Sequence, residues 1–375
     1  MGRPREDQLE IKVHPGRGGP SSRPRPPPPR RPYEPFKSWI PWLVPTIFMV
    51  NVVVFIMSMY LNNCPRNSTD CIGQSLLGPF AFQSFRENPL LGPSAATLQK
   101  MGALVVKRVT ENHEVWRIFS CMWLHAGVFH VLANMISLTF VGIRLEQEFG
   151  FIRIGLLYFI AGVGGSLMSS LFRKDTISVG ASGALFGLLG AMLSELITNW
   201  TIYENKISAL ITLIFIIALN LAVGVLPHVD NFAHLGGFWT GFFIGFVIFV
   251  RPQFGYVSQK NSGAGHFPSS SVKSKYKAYQ YILLIISLLI LVIGFILGFI
   301  FVLRGVNGND YCPWCHYLSC IPTPFWSCVD ANCNSSLLGN QVNMTCIPTN
   351  KTGSFILQNG NNTLELQKIC SHLCS

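Results

Sequence analysis

Residues 154–172, IGLLYFIAGVGGSLMSSLF, and 176–194, TISVGASGALFGLLGAMLS, are two uncharged runs separated only by Arg173, Lys174 and Asp175. At about 1.5 Å of rise per residue, each can cross a hydrocarbon layer of about 30 Å. Five further intervals without Asp, Glu, Lys or Arg flank them: Trp42–Tyr60 at the centre of the first, then Ile118–Ile143, Ile207–Val229, Asn231–Val250 and Ala278–Leu303. Charged residues make up 12% of the chain and mean hydropathy is +0.38, where a soluble protein carries about 25% charged residues. A soluble globular protein is excluded, because no polar amphipathic helices are present to cover these segments. The expectation is an all-α polytopic membrane protein with seven spans.

An odd number of spans puts the termini on opposite faces, and Lys and Arg choose between the two orientations. With the N-terminus cytosolic, residues 1–37, 144–153, 195–206 and 251–277 carry 17 basic residues against 8 acids, and the other side 11 against 9. The net charge of +11 is therefore a topology signal, and no nucleic-acid partner is needed to explain it. Cysteines agree, since disulfides persist in oxidising compartments. Cys64 and Cys71 fall in the first external loop and eight more beyond Leu303, while Cys121 stands alone as a small buried hydrophobe. Sequons at Asn67, Asn334, Asn343, Asn350 and Asn361 share that external side, whereas a sixth match at Asn199 is placed in the cytosol and stays bare. The expected location is the secretory pathway, at the Golgi or plasma membrane, with the C-terminus lumenal or extracellular and glycosylated. Residues 1–37 lack an apolar core, so the first span directs insertion; Glu6 in place of Ser or Thr argues against myristoylation.

Composition divides the chain further. Residues 1–37 form a basic, Pro-rich arm expected to be disordered. Residues 38–250 hold six spans, with a long external loop over 61–117 that is either functional or packed on the bundle. A basic linker, 251–277, leads to the seventh span, 278–303, and a Cys-rich tail, 304–375. Cys312-Pro-Trp-Cys315 matches a redox motif, but without a thioredoxin-like strand pattern a structural disulfide is the better reading, with zinc weaker still.

Polar side chains within spans are costly and mark functional candidates. The second span carries His125, His130 and Asn134; the fourth opens with Gly180-Ala-Ser182-Gly183, and the sixth with Ala233-His234 followed by Gly237 and Gly241. Ser182 and His234 lie about 10 Å and 6 Å inward of Asp175 and Asp230 if both segments are helical, so they enter from one face. Gly180, Gly183, Gly187, Gly237 and Gly241 would let the two helices approach until Ser and His meet. A hydroxyl becomes nucleophilic when a neutral imidazole takes its proton. With no intramembrane carboxylate to orient His234, the unit is a dyad, and Phe186, one turn after Ser182, can stack on the imidazole instead. His130 and Asn134, four apart on one helical face, suit oxyanion donors together with the Ser182 N–H.

These residues resemble the rhomboid family of intramembrane serine proteases. The resemblance covers Trp116-Arg117, the His125/His130/Asn134 series, the Arg144-Leu-Glu146 turn, Gly180-Ala-Ser182-Gly183, and Ala233-His234 with Gly237 and Gly241, in order over residues 38–250. It implies a six-helix core with an appended seventh helix (6+1), nucleophile Ser182, base His234, oxyanion support from His130 and Asn134, and small residues at the substrate's cut. The seventh span is similar to eukaryotic secretory-pathway members and the Cys-rich tail to the plant branch. Inactive relatives lose the Ser or His or place Pro beside the Ser, where this chain has Ala181.

The implied activity is endopeptidase cleavage of single-span membrane proteins in or near their transmembrane helix, with the lipid bilayer as surroundings and neither a metal nor a small-molecule cofactor. The competing class is a catalytically silent rhomboid-like protein that binds client helices in trafficking or quality control. A seven-span receptor is disfavoured by the charge bias, and a transporter by the lack of repeats. Because the core motifs end at Gly241, the external tail is expected to be inessential to the Ser–His chemistry.

Overall fold

A computed structural model of the chain describes residues 38–67, 70–85, 87–174, 176–200, 205–224, 229–252, 275–312, 314–319, 333–338, 341–346, 351–356, 366, 369, 370 and 373. The N-terminal arm, residues 253–274 of the linker and the sequons at Asn350 and Asn361 lie outside the described residues. Among those described, five helices are long and apolar enough to cross a membrane: α1 (Leu43–Asn62), α2 (Val128–Phe149), α3 (Phe151–Phe172), α6 (Asn231–Ile248) and α7 (Ala278–Leu303). Two shorter apolar helices complete the series, α4 (Ser182–Thr198) and α5 (Lys206–Val223).

Helix ends in a bilayer need partners for their free N–H and C=O groups. At the start of α1 a fully buried carboxylate, Glu146 of α2, accepts from the N–H groups of Trp42 (3.0 Å), Leu43 (2.8 Å) and Val44 (2.7 Å). A negative charge is favoured there by the helix dipole. The chain passes from α2 to α3 through Gly150 alone, at φ +83°, with the Trp39 ring packed on the space a side chain would need.

The centre of the fold is the contact of α4 with α6, backed by α3. A methyl group on Gly237 would overlap the Gly183 carbonyl, one on Gly241 the Gly187 carbonyl, and one on Gly190 the Phe238 carbonyl. From α3, Gly165 faces the Ala233 carbonyl, 2.7 Å from where its Cβ would be. The two backbones thus touch through bare glycines, which van der Waals packing in lipid rewards.

At the opposite end of α6, buried Arg251 pairs with the Glu148 and Glu195 carboxylates and stacks over Phe149. Asn199 binds Glu195 Oε1 (3.0 Å) and the Phe249 carbonyl (2.9 Å). That leaves the Asn199 side chain fully buried and engaged. α7 docks here: Gln280 donates to the Thr198 and Arg251 carbonyls and the Tyr279 hydroxyl to the Thr198 carbonyl. Near its other end Phe295, Phe299 and Val302 pack with Leu104, Val109 and Leu167.

Three sequence expectations change. The second span was read from Ile118, but residues 117–123 form two short turns and α2 begins only at Val128, so His125 precedes the helix. Residues 176–181 are not helical: Ser178 pairs with Leu104 of the external loop as a β-bridge, and Gly180 takes φ +123°. A rise of 1.5 Å per residue therefore does not measure the depth of Ser182 from Asp175. The tail also contains strands, an antiparallel meander β1 (Cys333–Leu338), β2 (Gln341–Cys346) and β3 (Thr352–Ile356). Its alternating Val342, Met344 and Cys346 face a small core with Cys370.

The loop over 61–117 is packed on the bundle. Disulfide Cys64–Cys71 closes its start, and Arg117, 2% exposed, holds the Glu114 carboxylate and the Gln99 and Ala103 carbonyls. Cys312–Cys315 and Cys333–Cys370 are also bridged, Cys346 is disulfide-bonded, and Cys121 is free and buried. Asn334 and Asn343 are exposed on strands.

The α4–α6 contact yields a test. Gly241→Ala should separate the two backbones and destabilise the protein by about 1–3 kcal/mol, as overpacking does. Thermal unfolding in detergent reads the loss, and Gly294→Ala, where a methyl group meets nothing within 4 Å, should be silent.

Candidate active site

Ser182 is the first residue of α4, half-buried, just after the extended strand-like segment that ends at Gly180. The Gly180 N–H donates to the Cys121 carbonyl (3.0 Å), anchoring this entry to the turn before α2. Gly180 is required there twice over. Its φ of +123° is strained for any side chain, and a Cβ would lie 2.7 Å from His130 Cε1 and 2.8 Å from His130 Nε2. The same Cβ would be 3.7 Å from Asn134 Nδ2, so both α2 side chains reach the start of α4.

The donors at this point are uncommitted. Asn134 Nδ2 is buried without a hydrogen-bond partner in the protein. His130 Nδ1 accepts from the Ala126 N–H at 3.4 Å, and His130 Nε2 faces Gly180. No side chain caps the N-terminus of α4, so its first-turn N–H groups are not consumed by a cap. An unpaired buried donor costs free energy, and Asn134 Nδ2 carries that cost here.

His234, in the first turns of α6 and 7% exposed, stacks on Phe186 with ring centres 4.2 Å apart and an interplanar angle of 13°. The Ala233 carbonyl, next to His234, lies 3.1 Å from where a Cβ of Gly183, next to Ser182, would be. Ser182 and His234 are thus brought to one place by the glycine contact, although no hydrogen bond joins them. Such pairs often tighten only when substrate binds. His125 is fully buried and meets His130 edge-on at 5.3 Å.

Two supports escaped the sequence reading. Asp230 caps α6 by accepting from the Ala233 N–H (3.1 Å), and its other oxygen accepts the Ser169 hydroxyl of α3. An Asp immediately before an apolar helix is an N-cap signal, whereas the Ser169 contact depends on tertiary packing. The Cys121 carbonyl that receives Gly180 has no sequence signature.

A profile of the Rhomboid domain matches residues 112–251. RHOMBOID-like protein 1 of Arabidopsis thaliana is 62% identical over 344 residues, covering 91% of this chain and 88% of that protein. RHOMBOID-like protein 4 is 55% identical over 341 residues, 90% of this chain and 84% of its own. Inactive RHOMBOID-like protein 8, from the same plant, is 44% identical over 292 residues, 77% and 83% respectively.

Gly180→Ala should both strain the backbone and displace His130, costing about 1–3 kcal/mol. Thermal unfolding should show the loss. Labelling by a fluorophosphonate, a probe of activated serines, should slow by more than the unfolded fraction explains.

Proposed function

Because the chain belongs to the rhomboid family, on its plant branch, we propose that it is an intramembrane serine endopeptidase acting through Ser182 and His234. The observation that carries this reading is that the glycine contact sets the Phe186-stacked imidazole of α6 beside the Ser182–Gly183 start of α4, with the unpaired Asn134 Nδ2 and the His130 ring reaching the adjacent Gly180. In this reading the Ser182 oxygen attacks the scissile carbonyl while His234 takes its proton. The oxyanion receives hydrogen bonds from Asn134, His130 and the α4 N-terminus. His234 then passes the proton to the departing amine, and a water molecule activated by the same imidazole releases the acyl group. The substrate is a single-span protein whose helix unwinds at the cut, because helical backbone is hydrogen-bonded and closed to attack.

The proposal includes the arrangement of the chain: a 6+1 helix count, the core over 38–250, N-terminus cytosolic and C-terminus lumenal or extracellular in a Golgi or plasma membrane. Exposed Asn334 and Asn343 suit glycan acceptors on that external side. The second reading, a silent client-binding protein, draws support from the relative named inactive. Intact Ser182 and His234 favour the protease.

Ser182→Ala and His234→Ala should each abolish cleavage of a single-span reporter, and the double variant should be no worse than either, because the two act as a unit. Asn134→Ala should lower kcat by about 10²–10³ with little change in KM. Substantial cleavage by Ser182→Ala would remove the serine-protease reading, and a wild-type protein that neither cleaves nor reacts with a fluorophosphonate would favour the client-binding reading instead.

A further inference from the structure

The chain beyond α7 does not leave the bundle. Asn309 donates to the Phe172 carbonyl at the end of α3 (2.8 Å). Gly308 lies against the Phe172 ring, which stacks on Phe232 of α6 at 4.4 Å. The Cys312–Cys315 disulfide then pinches the chain into a 3-10 turn, Cys315–Leu318. Out of that turn the Leu318 carbonyl accepts from Asn231 Nδ2 (2.6 Å), and the Ser319 hydroxyl accepts from Arg173 Nη1 (2.7 Å). Arg173 also reaches the Val229 carbonyl at 3.4 Å, just before α6. Beside it, burial pushes the Lys174 amine below its ordinary range, with Asp310 of the tail pulling the other way.

Asn231 is the first residue of α6, 4% exposed, and His234 follows within the same turn. The opposite side of that turn is held by Asp230 on Ser169 of α3. The helix end carrying the imidazole is therefore clamped between α3 and the tail. We infer that Asn231 and Arg173 are positioning residues for the Ser182–His234 pair and that the element they hold is residues 307–319 of the external tail. This rests on the reading of those two residues as a catalytic dyad. A rigid helix transmits a shift of its first turn directly to His234, and displacements near 1 Å at a reacting group cost up to about 10²-fold in rate. Against the expectation from the motifs alone, the beginning of the tail belongs to the active-site scaffold.

The test uses the full-length protein with a single-span reporter, fluorophosphonate titration to count competent sites, and thermal unfolding. Asn231→Ala and the double variant Cys312→Ser/Cys315→Ser should lower kcat per titrated site by about tenfold while KM stays within about twofold. Ser319→Ala and Asn309→Ala should lower it by about threefold, and they decide the matter if the cysteine variant does not fold. Unchanged kcat per titrated site in Asn231→Ala and Ser319→Ala, whatever happens to melting temperature, would overturn the inference and leave the dyad intact. A wild-type protein that neither titrates nor cleaves would overturn the dyad and this inference with it.

Discussion

The contact of α4 with α6 sets the rest of the molecule. In lipid there is no hydrophobic drive between helices, so association depends on close packing of backbone and small side chains. Gly183, Gly187 and Gly190 on one helix and Gly237 and Gly241 on the other leave carbonyls where side chains would stand. That approach brings the residues adjoining Ser182 and His234 together, and it lets Phe186 lie flat on the imidazole. A larger residue anywhere along the seam would widen it over the whole length of both helices.

Around the seam, the buried charges of Glu146, Arg117 and Arg251 are consumed by backbone or by an opposite charge. Glu146 satisfies three N–H groups of α1, Arg117 two carbonyls and a carboxylate, and Arg251 two carboxylates. A buried charge is tolerated only with such compensation. The contrast with the candidate site is chemical: Asn134 Nδ2 is buried without a hydrogen-bond partner among the described residues. Within one bundle, satisfied polar groups hold helices in place and unsatisfied ones mark where an oxygen or water would be bound.

The external elements close on the same helix ends. The loop before α2 supplies the β-bridge from Leu104 to Ser178 and the Cys121 carbonyl for Gly180, which shape the entry to Ser182. The segment after α7 supplies Leu318 and Ser319 to the entry of α6. Ser182 and His234 each stand in the first turn of a helix whose entry is held by segments outside the two helices.

Hydropathy and charge were enough to read a polytopic helical membrane protein, because a bilayer forces backbone groups to pair within each segment. The ordered motifs from Trp116 to Gly241 were enough to read the family, since each depends on residue type at fixed spacing. The stacking of Phe186 on His234 could be anticipated from a one-turn offset. Tertiary structure decided the rest. Residues 176–181 are extended because Leu104, 74 positions before Ser178, offers them a strand partner, and no local pattern encodes so distant a pairing. The strands of the tail were hidden in polar, Asn- and Ser-rich sequence, where disulfides and a few alternating side chains supply what propensity does not. The hold of Leu318 and Ser319 on Asn231 and Arg173 joins residues 87 and 146 positions apart, a contact fixed by where α7 returns the chain.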